Sequence, residues 1–322
     1  MTKKNELSPT AASFLTEQPF WIDSGKKGPI SVILGGIHGN ESCGVYVIHN
    51  IMQDPNLLSI TQGKVFFLYG NIKAIQQQVR HVDYDLNRMF FDDVSHLSQE
   101  QTKSYAYQRM TEIRTYLRQA DALLDLHSVS NHEAQPFVIC EKNGLHLAQQ
   151  MNVAVMCSGL DEIHPGGTDG YMNQLDKIGI CLEAGQHDDP QAITRTLDGI
   201  KQFLKGMGHC DEASQSNSHL TAHSTIDSAV RSTSHHLDPY HSIESFDSDQ
   251  TPRHLKVVAI YKNQYGPFTL AKNFKEFELI HQGQLIGYDE NKAIHAPYNA
   301  FIMFAQSQLE LHQECYCLAQ EL

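Results

Sequence analysis

Apolar residues along this chain fall in two periods. Residues 31–34, 64–69, 122–126 and 177–182 are almost uninterrupted apolar runs, as expected of strands buried on both faces of a sheet. Residues 136–140 add a shorter run, and 153–156 a short apolar segment. Between these runs the period lengthens. Val45, Ile48 and Met52 recur at helical spacing within 44–52, as do Ile193, Leu197, Ile200 and Leu204 within 190–204. A long amphipathic helix is predicted over 100–118 and a shorter one over 143–150. Strand, helix, strand in this order is the start of a parallel α/β unit. The expected fold is α/β, with a mostly parallel central sheet flanked by helices.

The pattern changes twice more. Residues 1–20 are polar and irregular. From 206 to 252 serine, histidine, aspartate and asparagine dominate and apolar periodicity disappears. Such a stretch buries too little to offset the entropy of ordering it, so a flexible linker or insertion is expected. Its His219, His223, His235, His236 and His241 read as solvated loop residues. Beyond 253 short strands at 254–261, 277–280, 283–287, 295–304 and 315–318 predict a small C-terminal all-β domain. The division expected is therefore 1–205 for the α/β domain that carries the chemistry, 206–252 for the linker and 253–322 for the β domain.

Charge and composition narrow the function classes. A formal net charge of −13 disfavours nucleic acid and anionic membrane surfaces as partners. No apolar run approaches the roughly 20 residues of a membrane span, and the first residues lack the apolar core of a secretory signal. A cytoplasmic location is the expectation. The seven cysteines are scattered, which fits reduced thiols. A homo-oligomer is left open.

Three of the strand runs lead into metal-type or acid–base residues. The 31–34 run leads through two glycines to His38 and Glu41, the 122–126 run to His127, and the 177–182 run to Glu183. In an open parallel sheet the strand C-termini share one edge, where ligands bind, so these side chains can converge. Two imidazoles and a carboxylate suit one zinc ion per chain and leave a fourth position free, as in a catalytic site. Glu183 is then the general base and acid. Arg80 is the candidate for stabilising an oxyanion, and Asn87 and Arg88 for clamping a substrate carboxylate. Asp125, two residues before His127, points to the same side of its strand and either orients that imidazole or is a buried structural acid.

The series His38-Gly39-Asn40-Glu41, Asp85-Leu86-Asn87-Arg88-Met89-Phe90, Asp125-Leu126-His127-Ser128 and Leu182-Glu183-Ala184-Gly185 resembles the succinylglutamate desuccinylase/aspartoacylase family. That family belongs with the zinc carboxypeptidases. The resemblance covers about residues 30–205 and more faintly the tail. It implies zinc at His38, Glu41 and His127, Glu183 as general base, Arg80 as the carbonyl-polarising arginine, and Asn87 and Arg88 on the substrate carboxylate. It implies hydrolysis of a small N-acyl amino acid. The turn His164-Pro165-Gly166-Gly167-Thr168 is similar to one in desuccinylases, and 283–304 to the family's β domain.

There are departures. Where aspartoacylases carry an arginine ten residues before the catalytic glutamate, this chain has Asn173, which argues against N-acetylaspartate. Tyr298 is the tail tyrosine considered for the site. Two other readings stay open: a metallocarboxypeptidase acting on peptides, and a carrier whose tail is a lipoyl-like module bearing Lys292.

Overall fold

The computed structural model describes residues 14–131, 134–210 and 252–322. In chain order the α/β part comprises β1 (Phe20–Asp23), β2 (Ile30–Gly35), α1 (Ser42–Gln53), β3 (Lys64–Tyr69), α2 (Ile72–Gln77), α3 (Tyr105–Leu117), β4 (Ala122–Val129), β5 (Phe137–Cys140), α4 (Leu145–Ala148), β6 (Val155–Ser158), α5 (Leu160–Ile163), α6 (Thr168–Gln174), β7 (Ile178–Gln186) and α7 (Gln191–Gly206). The C-terminal part comprises β8 (Arg253–Lys262), β9 (Phe268–Leu270), β10 (Glu278–Ile280), β11 (Leu285–Asp289), β12 (Lys292–His295), β13 (Ala300–Met303) and β14 (Glu314–Glu321).

One mixed sheet of 11 strands runs through most of the described chain, in the order β1-β3-β2-β4-β7-β5-β6-β8-β14-β13-β10. Its centre is mostly parallel: β3, β2, β4 and β7 run together, β5 turns antiparallel to β7, and β6 and β8 are parallel to β5. The C-terminal region is all-β, as its alternation predicts, but most of it extends the large sheet. Only β9, β11 and β12 form a separate antiparallel sheet. Parallel pairing of β8 with β6 makes this joint, and it is a long-range contact that local pattern does not carry.

Alternation assigns the strand faces. β2 sends Ile33, β3 sends Val65, Phe67 and Tyr69, and β4 sends Ala122, Leu124 and Leu126 to a core shared with α1 and α7. Val32, Leu34, Phe66, Leu68 and Leu123 face the other way, toward α3 and α6. Period-two geometry places Asp125 and His127 on this second face. The helix expected over 100–118 starts late, because Ser104 is extended and its side chain caps α3 by accepting from Tyr107 N at 3.1 Å. A short 3-10 turn, Gln101–Lys103, precedes it. The strand expected over 295–304 is shorter: His295 ends β12, and β13 takes only Ala300–Met303. β1 lies at the end of the expected polar lead-in and is held by pairing with β3.

Residues 211–251 of the expected linker, with its five histidines, lie outside the described residues. Its first residues are ordered against the core: α7 runs to Gly206, and His209 is buried with Nε2 2.9 Å from Ser31 Oγ and Nδ1 3.0 Å from Gln62 O. Among the described residues no helix is long and apolar enough to cross a membrane. All seven cysteines are free thiols.

Close backbone approach fixes where β2 delivers its turn. An ideal Cβ on Gly35 would lie 2.8 Å from Gly44 C, so α1 abuts the end of β2. On Gly39 it would lie 2.0 Å from Ala74 C, at the start of α2. Gly39→Ala is therefore expected to cost about 1–3 kcal/mol or more, since backbone rather than a flexible side chain must move. Because Gly39 stands between His38 and Glu41, divalent-metal affinity should fall with it. Urea denaturation and a metal titration of the same variant check both.

Candidate functional site

The turn after β2 carries His38 and Glu41 to the sheet edge. Gly36 takes a positive φ of 74° there, and Gly39 N donates to Arg80 O at 3.2 Å. Glu41 occupies the N-cap position of α1 yet makes no side-chain cap hydrogen bond. Its carboxylate serves the site instead. His38 Nδ1 is 2.8 Å from Glu41 Oε1, His127 Nδ1 is 2.8 Å from Glu41 Oε2, and Ser128 N donates to Oε2 at 3.2 Å. All three side chains are buried.

β4 and β7 bring in the other acid–base groups. Both strands run on through the site: His127 lies within β4 and Glu183 within β7, directly across the sheet from each other. The β4–β7 register shifts just after this pair, and such irregularities are common beside functional sites. Asp125 Oδ2 lies 3.2 Å from His127 Nε2, off the line of a hydrogen bond, and accepts from Thr168 Oγ1 at 2.5 Å. On the other imidazole, His38 Nε2 is 3.2 Å from Asp85 Oδ1. Each histidine thus turns Nδ1 toward Glu41 and Nε2 toward a second carboxylate, the arrangement that orients metal-ligating imidazoles.

Electrostatics sharpen the picture. Burial pushes the Glu41 carboxyl up, but His38 and His127 more than reverse this and hold it well below the usual range. Burial likewise raises Asp85, and His38 and Arg80 overcome it. Glu183 behaves oppositely. Burial pushes its carboxyl up to about 8; His127 opposes this, while Glu41 and Glu276 add to it. Glu183 Oε2, His127 Nε2 and Asp125 Oδ1 are buried without a hydrogen-bond partner. Two imidazole Nδ1 atoms that meet the two oxygens of one buried carboxylate fit a bound divalent cation, and this donor set suits zinc.

The Arg80 guanidinium stands beside the three ligand candidates. Its Nε and Nη2 donate to Asp85 Oδ2 at 3.1 and 3.0 Å, and Nη1 is 3.8 Å from Glu41 Oε1. Asp85 also accepts from Asn87 N at 2.9 Å, which fixes the short turn holding Asn87 and Arg88. Asn87 Oδ1 accepts from Thr168 N at 3.1 Å. Arg88 donates from Nη1 to Asn87 O at 2.7 Å and from Nε to His164 Nε2 at 2.8 Å. Gly166, at a φ of 101°, lets the His164 turn pass against the Arg88 backbone, and Phe90 N donates to Gly166 O at 3.0 Å.

A family model, the succinylglutamate desuccinylase/aspartoacylase catalytic domain, matches residues 27–207. The chain belongs to the succinylglutamate desuccinylase/aspartoacylase family. Over 175 residues it is 29% identical to an N-acyl-aromatic-L-amino acid amidohydrolase (carboxylate-forming) of Xenopus tropicalis, covering 51% of this chain and 56% of that protein. It is 31% identical over 193 residues to a probable aspartoacylase of Acaryochloris marina (strain MBIC 11017), covering 54% of this chain and 65% of that protein. The chain thus spans less than two thirds of these relatives' length. A succinylglutamate desuccinylase/aspartoacylase structure from Rhodobacter sphaeroides shares the fold, with a TM-score of 0.64 at 15% identity over 92% of this chain and 87% of that one.

All seven residues singled out from the desuccinylase/aspartoacylase motifs gather on this side of the sheet. His38, Glu41 and His127 meet directly. Arg80 stands at Glu41 and Glu183 across from His127. Asn87 and Arg88 sit beyond Asp85, tied to the His164 turn. Asn173 is on α6, its amide oxygen buried without a partner. Tyr298 packs against the C-terminal core, and Lys292 Nζ donates to Tyr265 OH at 2.8 Å.

The C-terminal part supplies two carboxylates that the family motifs do not contain. Glu276 accepts from Phe304 N at 2.7 Å and from Asn131 Nδ2. Burial pushes it up to about 7 against those hydrogen bonds, and its charge bears on Glu183. Glu314 opens β14 and reaches Arg88 and His164. Single acids in a β-rich tail carry no local signal, so only the tertiary fold reveals them.

Proposed function

We propose that the protein is a zinc-dependent hydrolase that cleaves the amide bond of a small N-acyl amino acid. One observation carries the reading: both imidazole Nδ1 atoms lie 2.8 Å from the two oxygens of one buried carboxylate, beside a glutamate whose Oε2 has no hydrogen-bond partner. The match to amidohydrolases and aspartoacylases supports it.

His38, Glu41 and His127 would hold one zinc ion. When bound, the metal supplies Lewis acidity to the amide carbonyl and the attacking water. Glu183 takes one proton from that water as its oxygen bonds to the carbonyl carbon. The Arg80 guanidinium stabilises the oxygen on which negative charge develops. As the C–N bond breaks, Glu183 returns the proton to the leaving nitrogen, giving an amine and a carboxylic acid, whose remaining proton passes to the amine as the acid ionises. Burial, with Glu41 and Glu276 nearby, pushes the Glu183 carboxyl up, so it holds the proton taken from the water until the second step. Asn87 and Arg88 bind the amino-acid carboxylate and set the amide over the acid–base pair. The chemistry is assigned to 1–205, with 253–322 covering the site.

Amine release from N-acetyl, N-succinyl and N-formyl amino acids tests this. Turnover of at least one member is expected, lost on chelation and restored by zinc. A silent panel with zinc confirmed in the sample would reject the deacylase and favour the peptide-cleaving alternative.

A further inference from the structure

We propose that Glu314 is an internal carboxylate that pairs with Arg88 and is exchanged for the carboxylate of the substrate. The proposal rests on the reading of Arg88 as a carboxylate clamp.

The contacts of Arg88 divide into two kinds. Nε and Nη1 are pinned by hydrogen bonds, at 2.8 Å to His164 Nε2 and 2.7 Å to Asn87 O. These orient the guanidinium plane. Nη2 instead faces Glu314 Oε2 at 3.6 Å, beyond the usual 2.7–3.2 Å hydrogen-bond range. That side of the guanidinium is therefore satisfied by charge alone. It is the side on which a carboxylate ligand would make a shorter, directed bond. The Arg88 side chain is 25% exposed and that of Glu314 36%, so both can be reached from solvent.

Glu314 has somewhere else to go. Its Oε1 lies 2.7 Å from His164 Nε2 and 3.6 Å from Lys262 Nζ, and Lys262 is its neighbour across the β8–β14 pair. His164 Nε2 accepts from Arg88 Nε and so cannot also donate to Glu314. If Arg88 turns to a ligand, Glu314 keeps Lys262 as its charge partner and is not stranded. Burial alone would raise its carboxyl, but His164 and Arg88 overcome this and hold it at about 2, so it stays an anion at neutral pH. The C-terminal strands thus place an intramolecular counter-charge on the clamp. This lets the clamp reject ligands that offer only a neutral group: an amide in place of the carboxylate cannot replace the lost ion pair.

The test is calorimetric titration of the zinc-loaded full chain with N-acetyl-L-phenylalanine and with its C-terminal amide. Glu314→Gln is expected to tighten binding of the free acid about 2- to 5-fold, the size of a partly exposed ion pair, and to leave the amide unchanged. Lys262→Gln is expected to weaken binding of the acid, because Glu314 is then more dependent on Arg88. In an Arg88→Met background Glu314→Gln should have no effect. Persistence of the Glu314→Gln effect in that background would mean a diffuse field and would overturn the exchange. Unchanged or weaker binding of the acid by Glu314→Gln would overturn it too, as would failure of the acid to bind at all. Turnover is read separately. The expected binding pattern without hydrolysis would reject the deacylase reading and leave the exchange standing.

Discussion

Glu183→Gln is expected to lower kcat by about 10²–10⁴-fold while zinc content stays that of the unaltered chain. The substitution keeps the shape of the side chain and removes its ability to accept and return a proton. Glu183 is not among the three groups that converge on one point: the Nδ1 atoms of His38 and His127 meet the Glu41 carboxylate, and Glu183 faces His127 from the neighbouring strand. Metal retention and proton transfer are therefore separable here. The buried Oε2 has no hydrogen-bond partner, so no bond at that oxygen is lost with the charge, and folding should be little affected. Initial rates on the best substrate of the panel, with metal analysis of the same sample, check it. Near-normal turnover would assign the proton transfers to another group. Loss of zinc along with activity would instead make Glu183 a ligand.

Arg109→Met is expected to destabilise the chain by about 3–5 kcal/mol without any change to the candidate ligands. Arg109 lies on the buried face of α3 beside Ala106, Met110 and Ile113, and is only 2% exposed. Its Nε donates to Gly70 O at 2.9 Å and Nη2 to Tyr69 O at 2.6 Å, while Nη1 meets Glu112 Oε2 at 2.6 Å. Methionine fills comparable volume but leaves the Tyr69 and Gly70 carbonyls without this donor in a dry interior. Those carbonyls end β3, one residue before Asn71, whose side chain caps α2 by accepting from Ala74 N at 3.0 Å. α2 is in turn the surface against which Gly39 is pressed. Loss of Arg109 should therefore loosen the turn that carries His38 and Glu41 as well as the fold. Urea denaturation measures the first effect, and zinc affinity the second. Glu112→Gln is the control. Glu112 is 52% exposed, so its loss should cost less than about 1 kcal/mol.

Both expectations rest on residues that the sequence treats very differently. Glu183 was legible because a buried apolar run ends on it, in a motif series whose members occur in family order. Arg109 was not. A lone arginine in an amphipathic pattern reads as a surface residue, and the carbonyls it serves lie 39 and 40 positions away. The same contrast holds for the elements. Long apolar runs such as β2, β3 and β7 appear where expected, since burial on both faces leaves an unbroken hydrophobic signal. β1, α2, α6 and β9 are short, and their stability comes from pairing, caps and packing that local pattern does not record.

By itself the sequence determined the α/β class and the apolar runs that lead into His38, His127 and Glu183, although β4 and β7 continue past His127 and Glu183 rather than ending there. Those follow from local periodicity and from residue types whose chemistry is intrinsic. Only the tertiary structure decided that β8, β14, β13 and β10 extend the main sheet, and that Asp85 and Asp125 stand behind the two imidazoles. Only the tertiary structure, too, placed Glu276 near Glu183 and Glu314 against Arg88. Each of these joins residues far apart in the chain, and the energy of a buried contact or ion pair depends on distance in space, which one-dimensional pattern does not encode.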